Sequence, residues 1–147
     1  KQTGNTKLAK MCAVIAADEA RHAKAYKHFV EKIFELDPSE MMLAFEDMMK
    51  KKIVMPAHLM RESGQKAGEL WEHFSDAAQR CAVYTAQDYI GILKELLNDW
   101  KIENITGLNE SAEKARDYLM KLPTRLQRVT DRLSTPDRAY DFKWVKS

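Results

Sequence analysis

Glu19 and His22 are the two residues of this chain best placed to do chemistry together. Three positions apart on a helix, they share a face and can bind one ion. A divalent cation would neutralise the carboxylate, and a neutral imidazole would supply a nitrogen ligand. A helical bundle core that holds Glu-x-x-His is the arrangement used by di-iron and di-manganese carboxylate sites. Asp18, one position earlier, points about 100° away round the helix. It could accept the second ring N–H of a metal-bound histidine on a neighbouring helix, or stand as a solvated flank residue.

The placement of the pair sharpens this reading. Leu8, Cys12, Ile15, Glu19, His22, Tyr26, Phe29 and Ile33 are spaced 4, 3, 4, 3, 4, 3 and 4. That is an a/d heptad pattern held over four heptads, and it predicts a long helix facing partner helices along one line. Burying an unpaired carboxylate in such a seam costs several kcal/mol, roughly. A metal would remove that cost. So would a buried Glu–His ion pair, or a seam that opens to solvent at its centre. A complete dinuclear site takes two Glu-x-x-His motifs plus a Glu from each of two further helices. The chain holds one such motif; Lys27-His28, Ala57-His58 and Glu72-His73 do not make a second.

The elements that must position the pair are all helical. With 5 Gly and 4 Pro in 147 residues, and no stretch of clean alternation, an all-α fold is expected. The first helix is expected from Thr6 to Leu36, where Asp37-Pro38 breaks it. A second should cover about 39–52, ended by Pro56, with its acidic residues leading Lys50, Lys51 and Lys52. Residues 61–68 read as a surface loop. Helices follow over about 69–83 and 85–101, with a bend near Tyr84-Thr85. Thr106-Gly107 makes a turn, and Asn109 caps a fifth helix over 110–122. Pro123 is expected to interrupt it, leaving a sixth helix over 124–133. The tail from Ser134 reads as irregular, with Phe142 and Trp144 as docking anchors.

Composition bounds the function. Lys and Arg number 24 against 22 Asp and Glu, a balance that argues against a general nucleic-acid binder. No run of 18 apolar residues exists, so no membrane-spanning helix is expected. Cys12 and Cys81 fit no zinc spacing and are expected as free, mostly buried thiols. Residues 111–147 carry 9 basic and 5 acidic side chains, so an acidic partner would be sought there. Lys121, Arg125, Arg128 and Arg132, spaced 4, 3 and 4, form a basic stripe that could steer such a partner or be a solvated helix face. Met42, Phe45 and Met49 read as core packing, and Cys12 and Tyr26 as packing residues that could line a substrate cavity.

The run Ile15-Ala16-Ala17-Asp18-Glu19-Ala20-Arg21-His22 resembles the second Glu-x-x-His helix of the plant acyl-[acyl-carrier-protein] desaturases, the stearoyl-type soluble desaturases of plastids. The likeness continues through Val30-Glu31-Lys32-Ile33-Phe34-Glu35, Asp37-Pro38 and Asp47-Met48-Met49. It includes the distinctive Met55-Pro56-Ala57-His58-Leu59-Met60, then His73-Phe74-Ser75, Val83-Tyr84-Thr85-Ala86 and Thr106-Gly107-Leu108. The resemblance implies a ferritin-like helical bundle, a homodimer in the chloroplast stroma, and a non-haem di-iron (Fe2+) centre. It implies insertion of a cis double bond into a saturated acyl chain on acyl carrier protein, with O2 and electrons from reduced ferredoxin. By resemblance, Glu19 and His22 are iron ligands and Asp18 is the carboxylate behind them. Acyl carrier protein and ferredoxin are acidic, which gives the stripe of Lys121, Arg125, Arg128 and Arg132 a candidate role in carrier-protein contact.

Residues 1–147 are thus expected to form a single all-helical region, the C-terminal part of such a desaturase domain. The opening Lys1-Gln2-Thr3, without Met, is consistent with a processed or truncated chain. On its own, a chain with one Glu-x-x-His is expected to bind iron weakly and to be inactive. Two other readings compete. One is a non-catalytic helical interaction module derived from the fold; the other is a ferritin-like iron-storage bundle, which the Met55–Met60 segment disfavours.

Overall fold

The computed structural model describes residues 4–51, 75–78, 80 and 84–132. Expectations for the loop at 61–68, the Met55–Met60 segment, Cys81, Phe142 and Trp144 fall outside them. The described residues include four long helices: α1 (Thr6–Leu36), α2 (Pro38–Lys50), α3 (Ala86–Asp99) and α4 (Glu110–Thr130). Residues 75–78 are also helical, within the span expected for a helix at 69–83. No strand occurs among the described residues. No helix among them is long and apolar enough to cross a membrane.

The helix boundaries follow from local chemistry. Asn5 caps α1 by accepting from the Leu8 N–H at 3.0 Å. Asp37 serves both sides of the first break. Its N–H reaches the Ile33 carbonyl at 2.8 Å and closes α1; its side chain accepts from Glu40 N–H at 3.1 Å and opens α2. Pro38, lacking an N–H, fits the first turn of α2 without loss. Helix α2 ends at Lys50, short of the expected 52, after Lys50 pairs with Glu46 at 2.6 Å and Lys51 with Asp47. Asn109 caps α4, accepting from Ala112 N–H at 2.9 Å.

Thr85 opens α3 with a reciprocal cap. Its hydroxyl and its N–H both donate to Asp88 Oδ2 at 2.7 Å, while its Oγ1 accepts from Asp88 N–H at 3.3 Å. The hydrogen bond from the Thr85 hydroxyl, then that from its backbone, holds the Asp88 carboxyl below the usual carboxylate range. A carboxyl with a lower pKa folded than unfolded stabilises the fold fully above the ordinary carboxylate range. That contribution is lost as pH falls through the depressed value. Asp88→Asn should therefore flatten the acid limb of α3 unfolding, followed by circular dichroism; an acid limb identical to that of the parent chain would count against this cap.

Two expectations are corrected. Pro123 does not interrupt the last helix: α4 runs unbroken from Glu110 to Thr130 with Pro123 inside it. Proline costs a helix interior about 3 kcal/mol, through its missing N–H and ring clash. Packing outweighs that cost here. Leu119 and Leu122 before the proline are buried, as is Pro123 itself, and Leu126 after it packs on the same core. Beyond α3, Lys101 adopts a left-handed conformation (φ 49°) and a short 3-10 turn, Ile102–Asn104, follows. This turn was not expected, and it buries Ile102 completely.

The core sits where α2 and α3 pack against α4. Met42, Ile102 and Leu119 are fully buried, surrounded by Phe45, Leu93, Leu97, Ala112 and Ala115. Met42 and Phe45 are thus core residues, as their spacing suggested. Helix α1 joins the core only by its C-terminal third. Phe34 is buried and Val30 packs against the cluster. Trp100 lies between Phe34 and Phe45, with ring centroids at 6.1 and 5.4 Å.

Candidate metal centre

Glu19 and His22 stand near the middle of α1, held on one face by the helix itself. His22 Nδ1 lies 3.7 Å from Glu19 Oε2. Both side chains are open to solvent, at 71% and 63% exposure for Glu19 and His22. The seam around them is open as well: Leu8, Ile15, Tyr26, Phe29 and Ile33 are all exposed large hydrophobics. Of the arrangements the sequence allowed, the structure has the seam open to solvent, with no partner helix from the described residues over it. Cys12, expected to be buried, is exposed for the same reason. Tyr26 meets the Phe29 ring edge-on at 6.4 Å.

The donor chemistry fits a divalent cation in part. A carboxylate oxygen and an imidazole nitrogen are brought together, and no third donor joins them among the described residues. No group of three or more His, Cys, Asp or Glu suited to a metal gathers among the described residues. Asp18 is engaged with Arg21 on its own helix, so it orients no second histidine here. A further carboxylate–imidazole pair, His28 with Glu31 at 3.3 Å, lies on α1 with the order of residue types reversed. A search for Glu-x-x-His passes over it.

One contact that positions α1 had no sequence signal. Lys27 Nζ donates to Glu95 and to Asp99, each at 2.6 Å. Its hydrogen bond to Asp99, then that to Glu95, raises the Lys27 pKa. The Trp100 indole N–H donates to the Lys27 carbonyl at 3.0 Å. These contacts fix α1 to the end of α3 just beyond the Glu19–His22 pair. Their partners lie about seventy residues away in the chain, beyond the reach of any local pattern.

The basic stripe is partly assembled. Lys121, Arg125 and Arg128 line one shallow hollow with Met120 and Thr124. Arg125 lies over the Tyr118 ring at 5.7 Å, and Lys121 is 3.8 Å from Asp117. Arg132 follows the last residue of α4 and is exposed.

The described residues are helical without strands and carry Glu-x-x-His on the α1 heptad seam, which places the chain in the all-α class of ferritin-like helical bundles. Comparison with known proteins makes the assignment narrower. The family model described as fatty acid desaturase matches residues 1–146, and the chain belongs to that family. It is 50% identical to the chloroplastic stearoyl-[acyl-carrier-protein] 9-desaturase of Spinacia oleracea and 51% identical to that of Ricinus communis. It is 48% identical to the chloroplastic acyl-[acyl-carrier-protein] desaturase of Cucumis sativus. Each alignment covers 99% of this chain and 37% of the relative. The chain therefore spans a little over a third of the length of these relatives.

Proposed function

We propose that these residues are the C-terminal part of a plastid acyl-[acyl-carrier-protein] desaturase. It would place a cis double bond in a saturated acyl chain held on acyl carrier protein, using O2 and electrons from reduced ferredoxin. The observation that carries this reading is the roughly 50% identity to desaturases that extends over 99% of the chain. In this reading Glu19 and His22 each give one ligand to a non-haem di-iron centre, and the remaining ligands come from elsewhere in the enzyme. Iron, when bound, supplies the redox chemistry that desaturation needs.

The chain's own residues have the supporting work. The Lys27 clamp sets the height of α1, and with it the position of Glu19 and His22, against the body of the protein. Asp18, released from Arg21, would be free to accept an N–H from a histidine on an adjoining helix. Cys12 and Tyr26, on the same seam, would face the interior of a closed bundle and line the space for an acyl chain. The relatives' plastid location and a homodimeric state belong to the same proposal.

A chimera tests it. This chain replaces the matching region of the spinach desaturase, and stearoyl-carrier protein, ferredoxin and a reductant are supplied. A cis-monounsaturated acyl product is expected; a folded, iron-loaded chimera that forms none would overturn the reading. The hollow of Lys121, Arg125 and Arg128 is assigned to the acidic carrier protein. Reversing Arg125 and Arg128 to Glu in the chimera should raise KM for the acyl carrier by about tenfold or more and flatten its salt dependence. An unchanged salt dependence would remove these residues from the docking surface.

The solvent exposure of Glu19 and His22 suits one second reading, a non-catalytic helical module that keeps the bundle shape. In that case the chimera folds and binds carrier protein but leaves the acyl chain saturated.

A further inference from the structure

Two hollows lie side by side where α3, the 3-10 turn and α4 meet. The first, about 350 Å3, is lined by Lys94 and Asn98 of α3, Lys101 and Asn104 at the turn, and Met120 and Thr124 of α4. The second holds Lys121, Arg125 and Arg128 and shares Met120 and Thr124 with the first. The basic surface is therefore wider than the stripe on α4. Five cations flank the exposed Met120, against two carboxylates, Glu103 in the first hollow and Asp117 beside Lys121. Neither Lys94 nor Lys101 makes an ion pair with a described residue. Lysine is almost never buried without a partner, so these two keep the first hollow at the surface in a longer chain as well.

The backbone at Lys101 is a second, independent observation. Among the described residues it is the one non-glycine with a positive φ, 49°. Its N–H reaches the Asn98 carbonyl at 3.0 Å, and its own carbonyl accepts from Asn104 N–H at 2.8 Å, so the chain is pinned on both sides. Burial of Ile102 accounts for the turn but not for a lysine in it. Glycine is the usual residue at such a helix end, because it has no Cβ to clash in the left-handed region. A cation stands here against the local preference of the backbone, and strained positions of this kind gather at ligand contacts. Across the Met120 ridge, the Tyr118 ring steadies Arg125 at 5.7 Å. Cations on both sides are thus positioned before any partner arrives.

We propose that the two hollows are one docking surface, and that Lys94, Lys101 and Met120 help to receive an acidic, amphipathic helix of the carrier protein. The inference rests on the carrier-protein reading of the second hollow and deepens it, adding residues that lie off the α4 stripe. An acidic helix fits the pattern. Carboxylates on its two flanks meet Lys94 and Lys101 on one side and Lys121, Arg125 and Arg128 on the other. An apolar residue between them packs on Met120. Charge attraction guides the encounter, and the two rows of cations fix its register. A small anion would fill the first hollow alone and leave its continuity with the second unused.

Binding of labelled acyl carrier protein, without an acyl chain, to the folded spinach chimera tests this independently of desaturation. Lys94→Glu is expected to raise Kd about tenfold and to flatten its salt dependence. Lys94→Arg should hold Kd within about twofold. Lys101→Gly separates docking from structure. Relief of the left-handed backbone should raise Tm by about 2–4 °C, while loss of the cation raises Kd by about fivefold. A Lys101→Gly chimera that binds as tightly as the parent overturns the proposal. So does an unchanged salt dependence in Lys94→Glu, or a loss seen in ferredoxin binding and not in carrier binding. A chimera that binds carrier protein through these lysines but forms no double bond defeats the desaturase reading alone. One that desaturates while both lysine variants bind normally defeats the docking surface alone.

Discussion

His22→Ala, made in the spinach chimera, is expected to abolish desaturation, with turnover falling by at least about a thousandfold. A bound metal contributes several kcal/mol to catalysis, and each 1.4 kcal/mol, roughly, is a factor of ten in rate. His22 supplies the one nitrogen donor on the seam, and Glu19 is its only carboxylate. Neither has a substitute within reach among the described residues, because Asp18 points elsewhere and is taken up by Arg21. His28 and Glu31 form a similar pair on the same helix and serve as the internal control. His28→Ala should change turnover by less than about twofold, in line with substitutions at exposed surface positions. Iron content measured on the same samples should fall for His22→Ala and hold for His28→Ala. Full activity in the His22 variant would remove this residue from the metal site.

Leu119→Ala is expected to cost about 3 kcal/mol of stability, within the range of 2–5 found for buried large-to-small changes. Leu119 is fully buried at the centre of the core and has Met42 and Ile102 as fully buried companions. Its neighbours on α4, Ala112 and Ala115, are already small, so they cannot expand into the space left behind. The following Pro123 adds to the effect. It denies the Leu119 carbonyl its usual helical donor, so packing of this side chain helps to keep α4 continuous through the proline. Urea unfolding followed by circular dichroism reads the loss directly. A midpoint within about 0.3 kcal/mol of the parent would mean that the core collapses to fill the cavity, against the expectation of a rigid interior.

Local chemistry was legible in the sequence, and distant packing was not. Asp37-Pro38, Thr85, Gly107 and Asn109 each mark a boundary through groups within four residues of the break. Capping and turn formation depend on nothing else. Gly107 has the positive φ that its turn requires. Pro123 misled because its local penalty is real but smaller than the burial around it. Lys101 gave no sign of a left-handed backbone, since lysine has no preference for that conformation; Ile102, burying itself behind it, draws the chain into the turn. The site divides the same way. Periodicity located Glu19 and His22 on one seam and placed Met42 and Phe45 in the core. It could not say what covers the seam, and it could not find the Lys27 clamp.

That clamp has a mechanical consequence. Among the described residues, helix α1 is fastened near one end, at Lys27, Val30 and Phe34, and its remaining length projects from them as a cantilever. At 1.5 Å per residue, Thr6 lies about 32 Å from the anchor, while His22 lies only about 8 Å from it. A tilt of a few degrees at the fulcrum therefore sweeps the tip through about 2–3 Å but moves the carboxylate–imidazole pair by less than about 1 Å. The chain keeps its two donors near the fulcrum of its longest lever, where bending disturbs them least. Amide hydrogen exchange along α1 should record that gradient, slow beyond Lys27 and faster with each turn towards Asn5.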